Sequence, residues 1–171
     1  SLLLLVPSVL GIVSTRINYD ILSYLPKDIE TMEGQDILMD EFGTGAFSIC
    51  IVEEMENKDV SALREQIEAV PHVKTVIWYD SVADLSVPVE ILPEEIQQKF
   101  VKGSDTMMMV MYDSSMSSDE TMEAVKEIRS LAQKQCFVSG MSAVVTDIKD
   151  ICNQEMIAYV AIAGALSCVI L

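Results

Sequence analysis

The chain has 171 residues, half of them hydrophobic, and a formal net charge of −16. This length is sufficient for one domain with a sizeable core, and the acidity argues against nucleic acid or anionic lipid headgroups as partners, because both would be repelled. All 27 acidic residues lie between Asp20 and Glu155. The two ends are therefore apolar, and the middle is polar and acidic.

Each end of the chain carries an uncharged apolar run. The first begins at Leu2, within residues 1–17, and the second extends from Met156 to Leu171. A helix needs about 20 apolar residues to cross a bilayer core, so we expect each run to be part of a transmembrane helix that is cut at its outer edge. A secretory signal would explain only the first run, which lacks a basic leader. The alternative is a soluble domain in which two apolar helices pack on each other.

Residues 18–45 are predicted to connect the first span to a domain. Pro26 interrupts any helix that continues from the span. A short helix is predicted over Thr31–Phe42, and Gly43 is its predicted stop.

Residues 46–140 are predicted to form an α+β domain. Two helices with 3.6-residue apolar spacing alternate with strands, and we expect Asp59 to cap the first helix. Ser117 and Glu120 have the spacing of a capping box for the second helix. The four strands, rich in β-branched and apolar residues, are Ala46–Glu53, Val73–Tyr79, Asp105–Tyr112 and Gln135–Ser139. This order predicts a ferredoxin-like (βαβ-βαβ) fold, in which both helices cover one face of a four-stranded antiparallel sheet.

Two segments lie outside this regular pattern. Residues 80–103 are predicted to be an insertion with a short helix that begins at Pro93. Residues 141–171 are predicted to be one long helix, because nothing after Ser142 would interrupt it. Its first half is amphipathic and its second half is apolar on every side, so we expect it to enter the second membrane span.

Three sequence motifs occur in a characteristic order. The first apolar run is followed by NYDILSYLPKD and DEFGTGAF, and the second run is preceded by FVSGMSAVVTDIKD. This arrangement resembles the resistance-nodulation-division (RND) transporters, and within them the bacterial MMPL type. The resemblance implies a porter module on the extracytoplasmic side of the bacterial cell membrane, in a proton-driven transporter that moves lipids or other hydrophobic or amphiphilic molecules.

The resemblance also implies the partners of this chain. They are the membrane, the remaining transmembrane helices, the second porter loop of the same transporter and a hydrophobic substrate; a homo-oligomer is left open. We expect no enzymatic activity and no cofactor or metal. The residues that couple transport to protons would lie in spans outside this sequence. The alternative is a membrane-anchored extracellular sensor or binding module with only two spans.

Five residues are candidates for contacts with substrate or with a neighbouring domain. Strand alternation places Met107, Met109 and Met111 on one sheet face. Thioethers there would form an adaptable apolar wall or bind Cu(I), or the strand is simply buried under helices. Trp78 and Tyr79 are predicted on opposite faces near a strand end, one in the core and the other beside a substrate path or a neighbouring subunit.

The remaining polar candidates indicate structure rather than catalysis. His72, the only histidine, is predicted in a surface turn. Cys50 and Cys136 lie in two predicted strands, so a disulfide is open, although buried free thiols are favoured.

Gly140 and Asp147 are the predicted coupling hinge. A glycine between a strand and the helix that enters the membrane permits a tight turn. The uninterrupted helix after it would carry motion from the membrane into the porter module as a rigid lever.

Overall fold

A computed structural model of the protein describes residues 24–81, 100–132 and 135–170, together with Gly11 and Tyr19. Apart from Gly11, the predicted first span lies outside the described residues. So does the predicted insertion helix at Pro93.

The described residues form an α+β fold with a five-stranded antiparallel sheet. In chain order the elements are α1 (Glu30–Asp40), β1 (Ala46–Val52), α2 (Asn57–Glu68), β2 (Val73–Ile77), β3 (Val101–Lys102), β4 (Asp105–Tyr112), α3 (Asp119–Leu131), β5 (Cys136–Ser139) and α4 (Met141–Ile170). A 3₁₀ turn, Tyr79–Ser81, follows β2. The long strands are ordered β2-β4-β1-β5, and β3 pairs with the start of β4.

The fifth strand corrects the prediction of four. β3 lies in the predicted insertion and forms a tight hairpin with β4, which Gly103 permits by adopting a φ of +67°. The four other strands occur where they were predicted, with ends that differ by at most two residues.

The core lies between the sheet and the helices α2 and α3. The two helices contribute apolar residues at helical spacing, such as Val60 and Ile67 from α2 and Val125 from α3. These residues belong to one buried cluster with the side chains of alternate strand positions, including Val52 and Met108. Both helices therefore pack on the same face of the sheet.

The start of each core helix differs from its prediction. α2 begins at Asn57 with Glu56 as its N-cap. Asp59 therefore lies in the first turn, where its negative charge interacts favourably with the positive end of the helix dipole. For α3 the N-cap is Ser118 and not Ser117, and the Ser118 Oγ accepts a hydrogen bond from the Thr121 N–H at 3.1 Å. Both capping predictions were wrong. The α2 helix begins without a side-chain cap, and at α3 the adjacent Ser118 offers the same hydroxyl as Ser117, so only the path of the backbone selects between them.

Replacing Ser118 by alanine is expected to lower the free energy of unfolding by about 1 kcal/mol, because it removes an N-cap acceptor. The measurement is urea unfolding of the chain in detergent, followed by the fluorescence of Trp78, the only tryptophan. Ser117→Ala is the matched control and should leave the midpoint nearly unchanged. Equal effects of the two substitutions would contradict the assignment of the cap.

Candidate functional site

The long helix α4 is attached firmly to the sheet at its first turn. Gly140, between β5 and α4, has a φ of +104°, and a Cβ there would lie 3.3 Å from the Cα of Ser48 on β1. The buried Ser142 Oγ donates to the carbonyl oxygen of Phe47 at 3.0 Å, and Thr146 Oγ1 donates to the carbonyl oxygen of Ser142 at 2.8 Å. We call residues 140–146, which comprise Gly140 and the start of the helix, the root of α4.

A row of ion pairs joins α4 to α3, and we call it the ionic seam. Arg129 and Asp147 form a bidentate ion pair, with N–O distances of 2.5 and 3.0 Å. Lys126 Nζ lies 2.6 Å from Asp150 Oδ1. The third pair joins Lys149 to Asp119. In two of the pairs α3 supplies the cation, and in the third α4 supplies it. Each helix therefore supplies both positive and negative partners, and the seam holds the two helices in one alignment.

The pairing of Arg129 with Asp147 shifts the pKa of both groups. Asp147 lies in the charged half of α4, before the apolar stretch, and the hydrogen bonds from Arg129 lower the pKa of its carboxyl group. The same contact raises the pKa of Arg129. Both groups are partly exposed, so the pair contributes modestly to stability and mainly fixes the geometry of the two helices.

Acid should weaken the seam. A carboxyl group with a lowered folded pKa stabilises the fold above its unfolded pKa, and this contribution is lost as the pH falls through the folded value. We therefore expect Asp147→Asn to cost about 0.5 to 1 kcal/mol at neutral pH, with the difference from the native chain shrinking below the ordinary value of 3.8. Urea unfolding from pH 7 to 3 measures it. Glu127→Gln, which removes one negative charge from the same helix as Arg129 but outside the seam, is the matched control.

The second half of α4 is apolar and exposed. No charged residue follows Glu155 in this helix, and every residue from Ile151 to Ile170 is exposed. Among the described residues, α4 is the one helix long and apolar enough to cross a membrane. The predicted long C-terminal helix is thus present, with an anchored, charged first half and an apolar second half.

The face of the sheet opposite α2 and α3 is also apolar. Alternation along β4 is as predicted, with Met108 buried on the helix side and Met107, Met109 and Met111 half-buried on the other. The opposite face, called the open sheet face, consists of Phe47, Ile49, Ile51, Ile77, Met107, Met109, Met111 and Phe137. The rings of Phe47 and Phe137 are 48% and 52% exposed. Lys102 and Asp105 lie beside Ile51 and Met107 at one end of this face, so its apolar centre suits apolar contacts.

Trp78 and Tyr79 are placed differently from the prediction. Both rings are buried, with centroids 4.3 Å apart, and Trp78 Nε1 donates to Thr106 Oγ1 at 2.8 Å. The prediction of opposite faces was wrong because β2 ends at Ile77 and Tyr79 already belongs to the 3₁₀ turn. Neither ring lies on the surface, so neither joins the open sheet face.

Arg64 links this turn to α2, as its Nε lies 3.3 Å from Asp80 Oδ2. The Asp80 carboxyl is mostly buried there. The pair therefore fixes the point at which the chain leaves the sheet after β2.

His72 occupies a surface turn, as predicted. It adopts a φ of +67°, and its Nδ1 lies 3.3 Å from Asp113 Oδ1, with both side chains substantially exposed. Within the described ranges, no group of three or more His, Cys, Asp or Glu side chains is arranged to hold a metal ion.

Two hydroxyl groups and two thiols are buried on the side of the sheet that the helices cover. Ser48 Oγ and Tyr112 OH are 2.6 Å apart, and burial raises the pKa of Tyr112 to about 12. Cys50 and Cys136 are both buried free thiols. The hydrogen bond with Cys136 and burial together raise the pKa of the Cys50 thiol, so it is protonated at neutral pH.

Sequence reasoning identified Gly140 and Asp147 but missed their partners. The missed residues are Ser142, which hydrogen-bonds to β1, and Arg129, which pairs with Asp147. Lys126 and Arg129 have the same three-residue spacing as Asp147 and Asp150, with opposite charge, but this spacing alone does not select the four residues from the other charged ones. No protein-family model matches the chain, and no curated protein matches it either.

Proposed function

We propose that this chain is the extracytoplasmic porter domain of an RND-type transporter of the MMPL branch, with the helix that leads from the domain into the bacterial cell membrane. The observation that carries the proposal is the continuity of α4. One helix is anchored on the sheet at Ser142, pairs with α3 at Asp147 and continues without a break into an exposed apolar stretch. An exposed helix of this composition needs an apolar environment, which a bilayer supplies.

The topology supports the same proposal. The order β2-β4-β1-β5, with α2 and α3 as the crossovers on one face, is the order of a ferredoxin-like sheet. β3 is then an addition that pairs with the start of β4, the first strand of the second βαβ unit. Because α2 and α3 both cover one face, the open sheet face is free to contact the second porter loop or a hydrophobic substrate.

In the proposed transporter, α4 is the lever that connects membrane and domain. Its root is fixed to β1 through Gly140 and Ser142, and the ionic seam fixes it to α3. A tilt of the membrane segment would therefore move β1, β5 and α3 together, as alternating access requires. The domain would shape the substrate path without covalent chemistry, and proton coupling would belong to other spans of the transporter.

Breaking the lever tests this role. A flexible Gly-Ser linker inserted after Asp150 in the complete transporter should abolish export of the lipophilic dye Nile red from cells, because motion no longer reaches the domain. The same linker inserted between Gly103 and Ser104, in the hairpin turn, is the control and should leave export largely intact. Unchanged export with the first insertion would refute the lever and would favour the two-span sensor or binding module.

The cysteines of α4 test its position in the membrane. Cys152 lies in the charged half of α4 and is exposed, and Cys168 lies in the apolar half. A membrane-impermeant maleimide added to intact cells should label Cys152 in a Cys168→Ser chain and should not label Cys168 in a Cys152→Ser chain. Labelling of Cys152 only after permeabilisation would contradict the extracytoplasmic location, and equal labelling of both would contradict the span.

A further inference from the structure

Cys50 and Cys136 are a pair of buried free thiols on two neighbouring strands. In the antiparallel pairing of β1 with β5, Cys50 lies opposite Val138 and Cys136 lies opposite Val52. The two cysteines are therefore diagonal neighbours on the same face. Both side chains are buried on that face. The lever described above uses neither of them.

The strand that carries Cys136 is suited to a small movement. β5 has four residues and lies at the edge of the described sheet, where it pairs only with β1. Diagonal neighbours are farther apart than directly opposed residues, so a bond between their sulfurs requires a slight shift of one strand. A short edge strand has few hydrogen bonds that resist such a shift.

We propose that Cys50 and Cys136 are a redox-active pair that closes into an intramolecular disulfide between β1 and β5. The oxidant is a low-molecular-weight disulfide such as oxidised glutathione. The Cys136 thiolate, which is less buried, attacks one glutathione sulfur and forms a mixed disulfide, releasing the first glutathione. The Cys50 thiol then gives up its proton to the released glutathione thiolate, and its sulfur attacks the Cys136 sulfur and releases the second glutathione. Two protein thiols are oxidised, the oxidant becomes two thiols, and these take up the two protons.

The bond would tie the strand next to the root of α4 covalently to β1. Because its geometry is not ideal, it should be easier to reduce than a structural disulfide, so the attachment of α4 would respond to the redox state of the surroundings. The chemistry does not rest on the proposed transport function. An oxidising compartment would simply favour the closed form.

The test uses the 171-residue chain in detergent with Cys152→Ser and Cys168→Ser, so that only the pair can react. The folded protein is equilibrated with mixtures of oxidised and reduced glutathione, quenched in acid, denatured and alkylated with N-ethylmaleimide for mass spectrometry. We expect both thiols to be lost together in one transition, without a glutathione adduct at equilibrium. We also expect hydrogen exchange at the Phe137 amide, opposite Ile51 on β1, to slow in the oxidised protein.

Two variants make the result specific. With either Cys50→Ala or Cys136→Ala added, closure is impossible, and a glutathione adduct or a free thiol should be found instead. The proposal is overturned if both thiols of the parent chain are alkylated at every glutathione ratio. It is equally overturned if a stable adduct forms on Cys136 of the parent chain, or if closure occurs only in denaturant.

Discussion

Replacing Gly140 by alanine is expected to lower the free energy of unfolding by about 2 to 3 kcal/mol, at the upper end of the cost of a strained backbone conformation. A φ of +104° lies outside the region that residues with a Cβ adopt readily. The new Cβ would also lie 3.3 Å from the Cα of Ser48 and 3.7 Å from the carbonyl oxygen of Phe47. Both neighbours are backbone atoms, so β1 itself would have to move away from the root of α4. Urea unfolding in detergent, followed by Trp78 fluorescence, measures the loss.

Gly103 provides the matched control for this substitution. Its φ is also positive, at +67°, but a Cβ there would meet no atom within 4 Å. Gly103→Ala should therefore cost about 1 kcal/mol, and Gly103→Asn should cost less because asparagine tolerates the left-handed conformation. Gly140→Asn should be as harmful as Gly140→Ala. If Gly140→Ala and Gly103→Ala lowered the free energy of unfolding equally, close packing between the root of α4 and β1 would contribute nothing to the effect of Gly140→Ala.

Two kinds of feature were predictable from the sequence: the alternation of side chains along a strand, and a glycine that separates one element from the next. The alternation along DTMMMVMY separates Met108 from Met109 correctly because the two-residue period of a strand holds whatever its neighbours are. Gly140 was identifiable because it stands alone between a strand pattern and a helix pattern. The same rule failed at Trp78 and Tyr79, where the strand had already ended and the period no longer applied.

Features that depend on how distant elements meet were not predictable. Any of the acidic residues was a possible partner for Arg129, and only the antiparallel packing of α3 on α4 selects Asp147. The bond from Ser142 to Phe47 joins residues 95 positions apart. The contact between Cys50 and Cys136 depends on the register of β1 with β5, which a shift of one residue would abolish.

An aspartate should reduce stability by very different amounts at two adjacent positions of β4. Met108 is fully buried on the helix side, and Met109 is half-buried at the centre of the open sheet face. Met108→Asp places an unpaired carboxylate in the core, at a cost of about 4 kcal/mol or more, so we expect no cooperative unfolding transition. Met109→Asp should cost about 1 kcal/mol and leave the chain folded, because solvent reaches that face.

The functional consequence of the folded variant tests the role of the open sheet face. If this face contacts a hydrophobic substrate or the second porter loop, a carboxylate at Met109 must be desolvated on contact, at about 2 kcal/mol, and Nile red export by the complete transporter should fall more than about tenfold. Met109→Leu keeps the face apolar and should retain export. Normal export by Met109→Asp would contradict a contact there. Unfolding of Met109→Asp, to the same extent as Met108→Asp, would instead show that the open sheet face is covered within the chain itself.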